Sequence, residues 1–138
     1  MIYITRKEHF SASHVLKNDN LDESDNSEIF GKCNNIHGHN YYVEIKLKGE
    51  IDPLTGFIYD LKKLKTLIHS EIIEKVDHRF LNETEIMKGI NPTAENIALT
   101  FFNILKEKIN SDKVRLHSVK LFETDKNIAE VTDGTDDK

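Results

Sequence analysis

The stretch His37-Gly38-His39-Asn40-Tyr41-Tyr42-Val43-Glu44-Ile45-Lys46-Leu47 decides the fold. Its odd positions read His37, His39, Tyr41, Val43, Ile45 and Leu47, while Asn40, Glu44 and Lys46 fall between them. Side chains two apart on an extended chain share a face, so this is a strand with one apolar face and a polar start. Ile2 to His14 repeats the pattern less cleanly, with Ile2, Ile4, Phe10, Ala12 and His14 in phase. Asp52-Pro53-Leu54-Thr55-Gly56 is a turn, and it predicts a hairpin into a short strand at Phe57 to Tyr59. Asp60 then caps a helix in which Leu61, Leu64, Leu67, Ile68 and Ile72 share a face. Asn91-Pro92-Thr93 opens a second helix, with Thr93 as N-cap and a stripe of Ile97, Ala98, Phe101, Phe102, Leu105 and Ile109. A last strand is expected over Val114 to Thr124, with a short extension at Ile128 to Val131. Strands, two helices, then strands predict an α+β domain, an antiparallel sheet with helices on one face. The other face must then be covered by something, or shared with another copy of the chain.

The length, 138 residues, suits one domain, expected over residues 1–131. Lys17 to Glu28 is dominated by Asn, Asp, Ser and Glu and is expected to be mobile; the acidic tail Thr132 to Lys138 has nothing to bury and is expected to be disordered. With 24 acidic against 19 basic side chains and a net charge of -5, the chain lacks the basic excess of a nucleic-acid binder working by bulk electrostatics. A single cysteine, Cys33, excludes an internal disulfide framework and suits a reducing compartment. No apolar run is long enough to span a membrane, and Met1-Ile2-Tyr3-Ile4-Thr5 does not open a secretory signal; the cytoplasm is the expected location.

The chemistry concentrates in Cys33-Asn34-Asn35-Ile36-His37-Gly38-His39. His37 and His39 point two imidazoles to one side, and Gly38 between them lets another group approach closely on the opposite face. His14 has the parity of Phe10 and Ala12 on the neighbouring strand and is the natural third ligand of a zinc site with an open position. Three neutral imidazoles leave the ion its full double charge, the state best able to acidify a bound hydroxyl or polarise a carbonyl. Cys33, four residues before His37, is open to three readings: base or nucleophile, fourth ligand of a closed structural site, or a plain buried thiol. Asp77-His78 can form a carboxylate–imidazole pair only in a loop geometry, and the residues alone favour a solvated turn at a helix end. Glu123 shares the parity of Val119 and Leu121, so it is expected to be a partly buried carboxylate; unaided, a salt bridge is its preferred reading over recognition of a guanidine-like ring edge.

Seven segments occur in one order: Phe10-Ser11-Ala12-Ser13-His14, Gly31-Lys32-Cys33-Asn34-Asn35, His37-Gly38-His39-Asn40-Tyr41, Gly49-Glu50-Ile51-Asp52-Pro53-Leu54-Thr55-Gly56, Asp77-His78, Pro92-Thr93-Ala94-Glu95-Asn96 and Glu123-Thr124-Asp125. The set resembles the 6-pyruvoyl-tetrahydropterin synthase / 6-carboxy-tetrahydropterin synthase family over all but the acidic tail. The resemblance implies a tunnelling fold, a four-stranded antiparallel sheet with two helices on one face. Three subunits would close a barrel, and two trimers would stack into a hexamer. It implies Zn2+ on His14, His37 and His39, with Cys33 as general base and Asp77 with His78 as a proton-relay dyad. It implies Glu123, Thr93 and Glu95 as contacts to a pterin triphosphate, 7,8-dihydroneopterin triphosphate, with no nucleic-acid or membrane partner. The Cys-x-x-x-His-Gly-His spacing is similar to that of the carboxy enzymes of queuosine and deazapurine synthesis. The stretches Phe30 to Asn35 and Glu123 to Asn127 are more similar to the pyruvoyl branch. Weighting the metal-loop spacing, the expected product is 6-carboxy-5,6,7,8-tetrahydropterin with loss of triphosphate and acetaldehyde; the alternative is 6-pyruvoyl-tetrahydropterin.

Overall fold

The computed structural model describes residues 1–135. Its frame is a long antiparallel pair, β1 (Ile2–His14) and β2 (His37–Gly49), running from Ile2 opposite Gly49 to His14 opposite His37. The apolar alternation locks this register, because a slip of one residue would turn the fully buried Tyr41, Val43, Ile45 and Leu47 to water. β3 (Arg79–Phe80) lies parallel to the outer edge of β1, β4 (Val114–Phe122) is antiparallel to β2, and β5 (Ile128–Thr132) is antiparallel to β4. The order is therefore β3-β1-β2-β4-β5, a five-stranded mixed sheet. The expected four-stranded antiparallel sheet is one strand short, because a two-residue strand carries no periodicity to read.

Among the described residues three helices accompany the sheet. α1 (Glu23–Phe30) is capped by Asp22, which accepts from Asp25 N–H. α2 (Leu61–Ile68) is capped by Asp60 and continues through a π turn (His69–Ile73) into a last α turn (Glu74–Val76). α3 (Ala94–Ile109) is capped by Thr93. Leu64, Ile68 and Ile72 of the second helical stretch join Ile97, Phe101 and Leu105 of α3 over the apolar side of the sheet. The core thus sits between the helices and the odd positions of β2, and it ends where His37 and His39 begin.

Five expectations are corrected. Lys17 to Glu28 is not an open loop, since it contains most of α1. That helix is held by buried Asn26, whose side chain accepts from Asn18 N–H and donates to the Asn18 and Leu21 carbonyls, a polar anchor without an apolar stripe. Phe57 to Tyr59 forms no strand; Asp52 N–H and Gly56 N–H close the turn onto Phe57 and Asp52 carbonyls instead. Leu61 is exposed rather than on the buried face of its helix. The last long strand stops at Phe122, because Glu123 N–H turns back to the Asn127 carbonyl. Of the tail expected from Thr132, Thr132 closes β5 and Asp133 pairs with the His117 ring at 3.1 Å, while residues 136–138 lie outside the described residues.

Gly49 ends β2 between its ladder partners Ile2 of β1 and Val114 of β4. A Cβ there would stand 2.7 Å from the Lys113 carbonyl oxygen and 2.9 Å from Ile58 Cγ2. Gly49→Ala is expected to lower unfolding stability by about 1–3 kcal/mol, the usual range for an overpacked site, measurable by urea denaturation.

Candidate metal centre and adjoining cavity

The end of the β1–β2 pair brings three imidazoles together. His14 and His37 face each other across the ladder, and His39 is two residues further along β2 on the same side. One ring nitrogen from each lies within 4.8 Å of the others. Hydrogen bonds decide which nitrogens those are. His14 Nδ1 donates to the Pro92 carbonyl at 2.8 Å and His37 Nδ1 to the Asn35 carbonyl at 2.7 Å, because a carbonyl can only accept. Their Nε2 atoms therefore carry lone pairs, and these face each other at 3.0 Å. Two lone pairs repel unless a cation lies between them. His39 Nε2 is buried with no hydrogen-bond partner, and its nearest charged group is the Glu123 carboxylate at 3.8 Å. Burial holds the proton affinity of both His14 and His39 below the ordinary imidazole value. Neutral, converging, partly desolvated imidazoles fit a divalent zinc-type ion.

Cys33 is not part of this ligand group. Gly31, at φ 56°, ends α1 and turns the chain into a 3-10 turn (Gly31–Asn34). Leu16 N–H donates to the Cys33 carbonyl at 2.8 Å and the Asn34 side chain donates to the Leu16 carbonyl at 3.1 Å, so the turn is stitched to the chain leaving β1. The thiol is free and exposed. Among the described residues the ligand group is the three histidines alone, which leaves a coordination position open and does not make the closed four-ligand site.

Glu123 follows β4 and is half-buried, with its carboxylate toward His39 rather than toward a lysine or arginine. It lines a cavity of about 470 Å³ together with Thr93, Glu95, Leu16, Lys126 and Asn127. Thr93 does double duty there, since its hydroxyl also caps α3 by accepting from Asn96 N–H. The cavity therefore ends on the carboxylate that faces the metal centre.

Asp77 and His78 do form a pair, with Asp77 Oδ1 at 3.0 Å from His78 Nδ1. The loop geometry this needs is supplied by a left-handed backbone at His78, φ 60°, held by its N–H on the Ser11 carbonyl. The Ser11 N–H bonded to Asp77 holds that carboxyl below the usual carboxylate range, with His78 adding to the effect. His78 lines a cavity of about 430 Å³ with Ser11, Ser13, Gly38 and Asn40, of the strand parity opposite to the triad, and with Ala12 and the triad residue His39. No hydrogen bond, ion pair or ring contact joins dyad and triad among the described residues. Gly38 is needed on this side: a Cβ there would come within 3.2 Å of the Ala12 carbonyl.

Sequence reading missed Pro92 and Asn35, whose carbonyls leave no side-chain signal, and Tyr41. The Tyr41 hydroxyl lies 3.4 Å from His14 Nδ1, and burial, with the charge of Glu123, pushes its phenol well up. Its parity with His37 and His39 was the signal that could have found it.

Residues 3–134 match the family model described as 6-pyruvoyl tetrahydropterin synthase. The chain is 43% identical over 131 residues to a putative 6-pyruvoyl tetrahydrobiopterin synthase of Caenorhabditis elegans, covering 93% of this chain and 92% of that protein. The solved structure of Caenorhabditis elegans 6-pyruvoyl tetrahydropterin synthase superposes with a TM-score of 0.87 at 41% identity, covering 95% of this chain and 94% of that one. A putative 6-carboxy-5,6,7,8-tetrahydropterin synthase of Archaeoglobus fulgidus is 40% identical over 87 residues, only 62% of this chain and 70% of that protein. These matches overturn the expected carboxy product and its place in queuosine synthesis. The turn that carries Cys33 is anchored to the chain leaving β1, through the Leu16 N–H on the Cys33 carbonyl and the Asn34 side chain on the Leu16 carbonyl.

Proposed function

We propose that this chain, which belongs to the 6-pyruvoyl tetrahydropterin synthase family, converts 7,8-dihydroneopterin triphosphate into 6-pyruvoyl-tetrahydropterin with loss of triphosphate. One observation carries the reading: three converging imidazole nitrogens lie beside Glu123, which lines a cavity of about 470 Å³. His14, His37 and His39 would hold zinc, which when bound supplies the positive charge that acidifies the hydroxyl-bearing carbons of the substrate side chain.

The remaining roles belong to the chain. Glu123 accepts two parallel N–H donors from the amino–imino edge of the pterin, with Thr93 and Glu95 on the same cavity wall. Cys33, exposed on the turn that leads into β2, removes the proton from the side-chain carbon next to the ring. That electron pair moves into the ring and reduces its C=N bond. A second proton lost from the neighbouring carbon expels triphosphate from the third, and the two former alcohols end as ketones. Electrons balance internally, so no redox cofactor is required. His78, oriented by Asp77, takes up and returns protons.

In this chain Asp77 and His78 bond to each other and to Ser11, and no hydrogen bond or ion pair joins them to the triad among the described residues, so the proposal includes a second copy that supplies Asp77 and His78 to the first copy's triad. A homo-oligomer, trimer or hexamer, would do this and would also cover the exposed sheet face on which Tyr42 lies. Mixing Cys33→Ala with His78→Ala protein under subunit-exchange conditions is expected to restore activity that neither has alone; no recovery would place both groups in one chain. Incubating the protein with zinc and dihydroneopterin triphosphate and identifying the pterin by mass tests the reaction itself. The pyruvoyl product is expected, and absence of any triphosphate release from a zinc-loaded protein would refute the assignment.

A further inference from the structure

We propose that Asn96 is a positioning residue for the metal centre: its side-chain amide holds the Asn91–Pro92 segment so that the Pro92 carbonyl fixes which nitrogen of His14 carries the proton. The inference rests on the reading of the triad as a cation site and extends it to a residue that touches neither metal nor substrate.

The chain of contacts is continuous. Asn96 Nδ2 donates to the Asn91 carbonyl at 2.9 Å, and Thr93 N–H donates to the same oxygen at 2.8 Å. Asn91 Oδ1 accepts from Lys17 N–H at 3.1 Å, which ties the segment to the chain leaving β1. Asn96 N–H is itself fixed on the Thr93 hydroxyl at 3.1 Å, so one residue of the first turn of α3 grips both sides of Pro92. Pro92 has no N–H and a fixed φ, and the direction of its carbonyl is therefore set by its neighbours.

Two groups compete for His14 Nδ1. The Pro92 carbonyl at 2.8 Å can only accept and demands a proton there. The Tyr41 hydroxyl at 3.4 Å can donate and would favour a bare Nδ1. A neutral imidazole carries one N–H, so a bare Nδ1 means a protonated Nε2, and Nε2 is the nitrogen turned to His37. The shorter contact wins as long as the carbonyl stays in place. If it swings away, Tyr41 donates instead and the metal-facing lone pair is lost.

The test uses 15N-labelled, metal-free full chain with long-range proton–nitrogen correlation to read the His14 tautomer at about pH 8, where a free imidazole is neutral. Zinc affinity is measured alongside by competition with a chromogenic chelator. Wild type is expected to carry its His14 proton on Nδ1. Asn96→Ala is expected to move it toward Nε2 and to weaken zinc binding about 10- to 100-fold, the usual effect of losing an outer-shell partner. Adding Tyr41→Phe to Asn96→Ala removes the competing donor and is expected to restore most of the affinity, whereas a purely structural loss would be deepened by it. An Nε2 proton in wild type, an unchanged tautomer in Asn96→Ala, or no rescue by Tyr41→Phe would each overturn the proposal. Asn96→Asp, nearly isosteric and lacking the donor, replaces Asn96→Ala if that variant fails to fold; failure of both makes the residue structural and also overturns it. A wild type that binds no zinc would sink the cation reading, while the tautomer response still decides the role of Asn96.

Discussion

His14→Ala is expected to cost the protein its metal and more than about 100-fold in kcat/KM, since even an outer-shell partner commonly costs up to that much. The reason is positional. His14 comes from β1 and the other two imidazoles from β2, so it is the ligand that closes the site across the ladder. It is also almost completely buried, at 1% exposure, and cannot be replaced by a solvent-side group. Zinc at about a hundred times its Kd should raise unfolding stability of the wild type by about 2.7 kcal/mol, and this increment should vanish in the variant. Metal analysis after gel filtration and thermal melts with and without zinc read the two effects. Stoichiometric zinc in His14→Ala would remove it from the triad. The pH dependence of the metal-free protein gives a second check. Burial lowers the folded proton affinity of His14 and His39 below the ordinary 6.5, so the unfolded chain binds protons that the folded one resists. Stability is then held above that pH and falls as pH drops through it, and removing His14 should flatten the fall.

The strands that carry the triad were legible because their signal is local. Alternation in β2 gave the buried face, and parity alone put His37, His39 and His14 on it. Thr93 and Asp60 were legible as caps for the same reason, each being a short polar side chain placed just before an apolar stripe. What escaped were features specified by backbone groups or by distance in sequence. β3 exists because His78 N–H meets the Ser11 carbonyl, 67 positions away on the chain and without a pattern of its own. α1 is held by Asn26 rather than by an apolar stripe, so its polar sequence looked like a loop. The dyad was legible as a pair and not as a place. Nothing in Asp77-His78 says which face of the sheet it will serve, because that depends on which edge of β1 receives it. The product type was misread because one loop spacing was weighted above the stretches Phe30 to Asn35 and Glu123 to Asn127, which are similar to the pyruvoyl branch.

Cys33→Ala should separate chemistry from metal in a way that no histidine variant can. The thiol lies outside the ligand group and on an exposed turn whose backbone is anchored independently at Leu16, so its removal disturbs neither zinc content nor fold. What disappears is a proton acceptor, and kcat is expected to fall about 10²- to 10⁴-fold with KM nearly unchanged. Cys33→Ser should lie close to alanine, because an aliphatic hydroxyl does not ionise near neutral pH, whereas the reactive form of a cysteine is the thiolate. Iodoacetamide supplies the complementary measurement: the single exposed thiol should be alkylated once, activity should fall in step, and the pterin substrate should protect it. A three-histidine metal site working instead as a hydrolase would use metal-bound water and keep its turnover after loss of the thiol. Full activity in Cys33→Ala, with zinc in place, would therefore transfer the reaction to that class. Loss of turnover with zinc retained leaves the proton abstraction on Cys33, whose backbone carbonyl is held by the N–H of Leu16, two residues beyond the ligand His14.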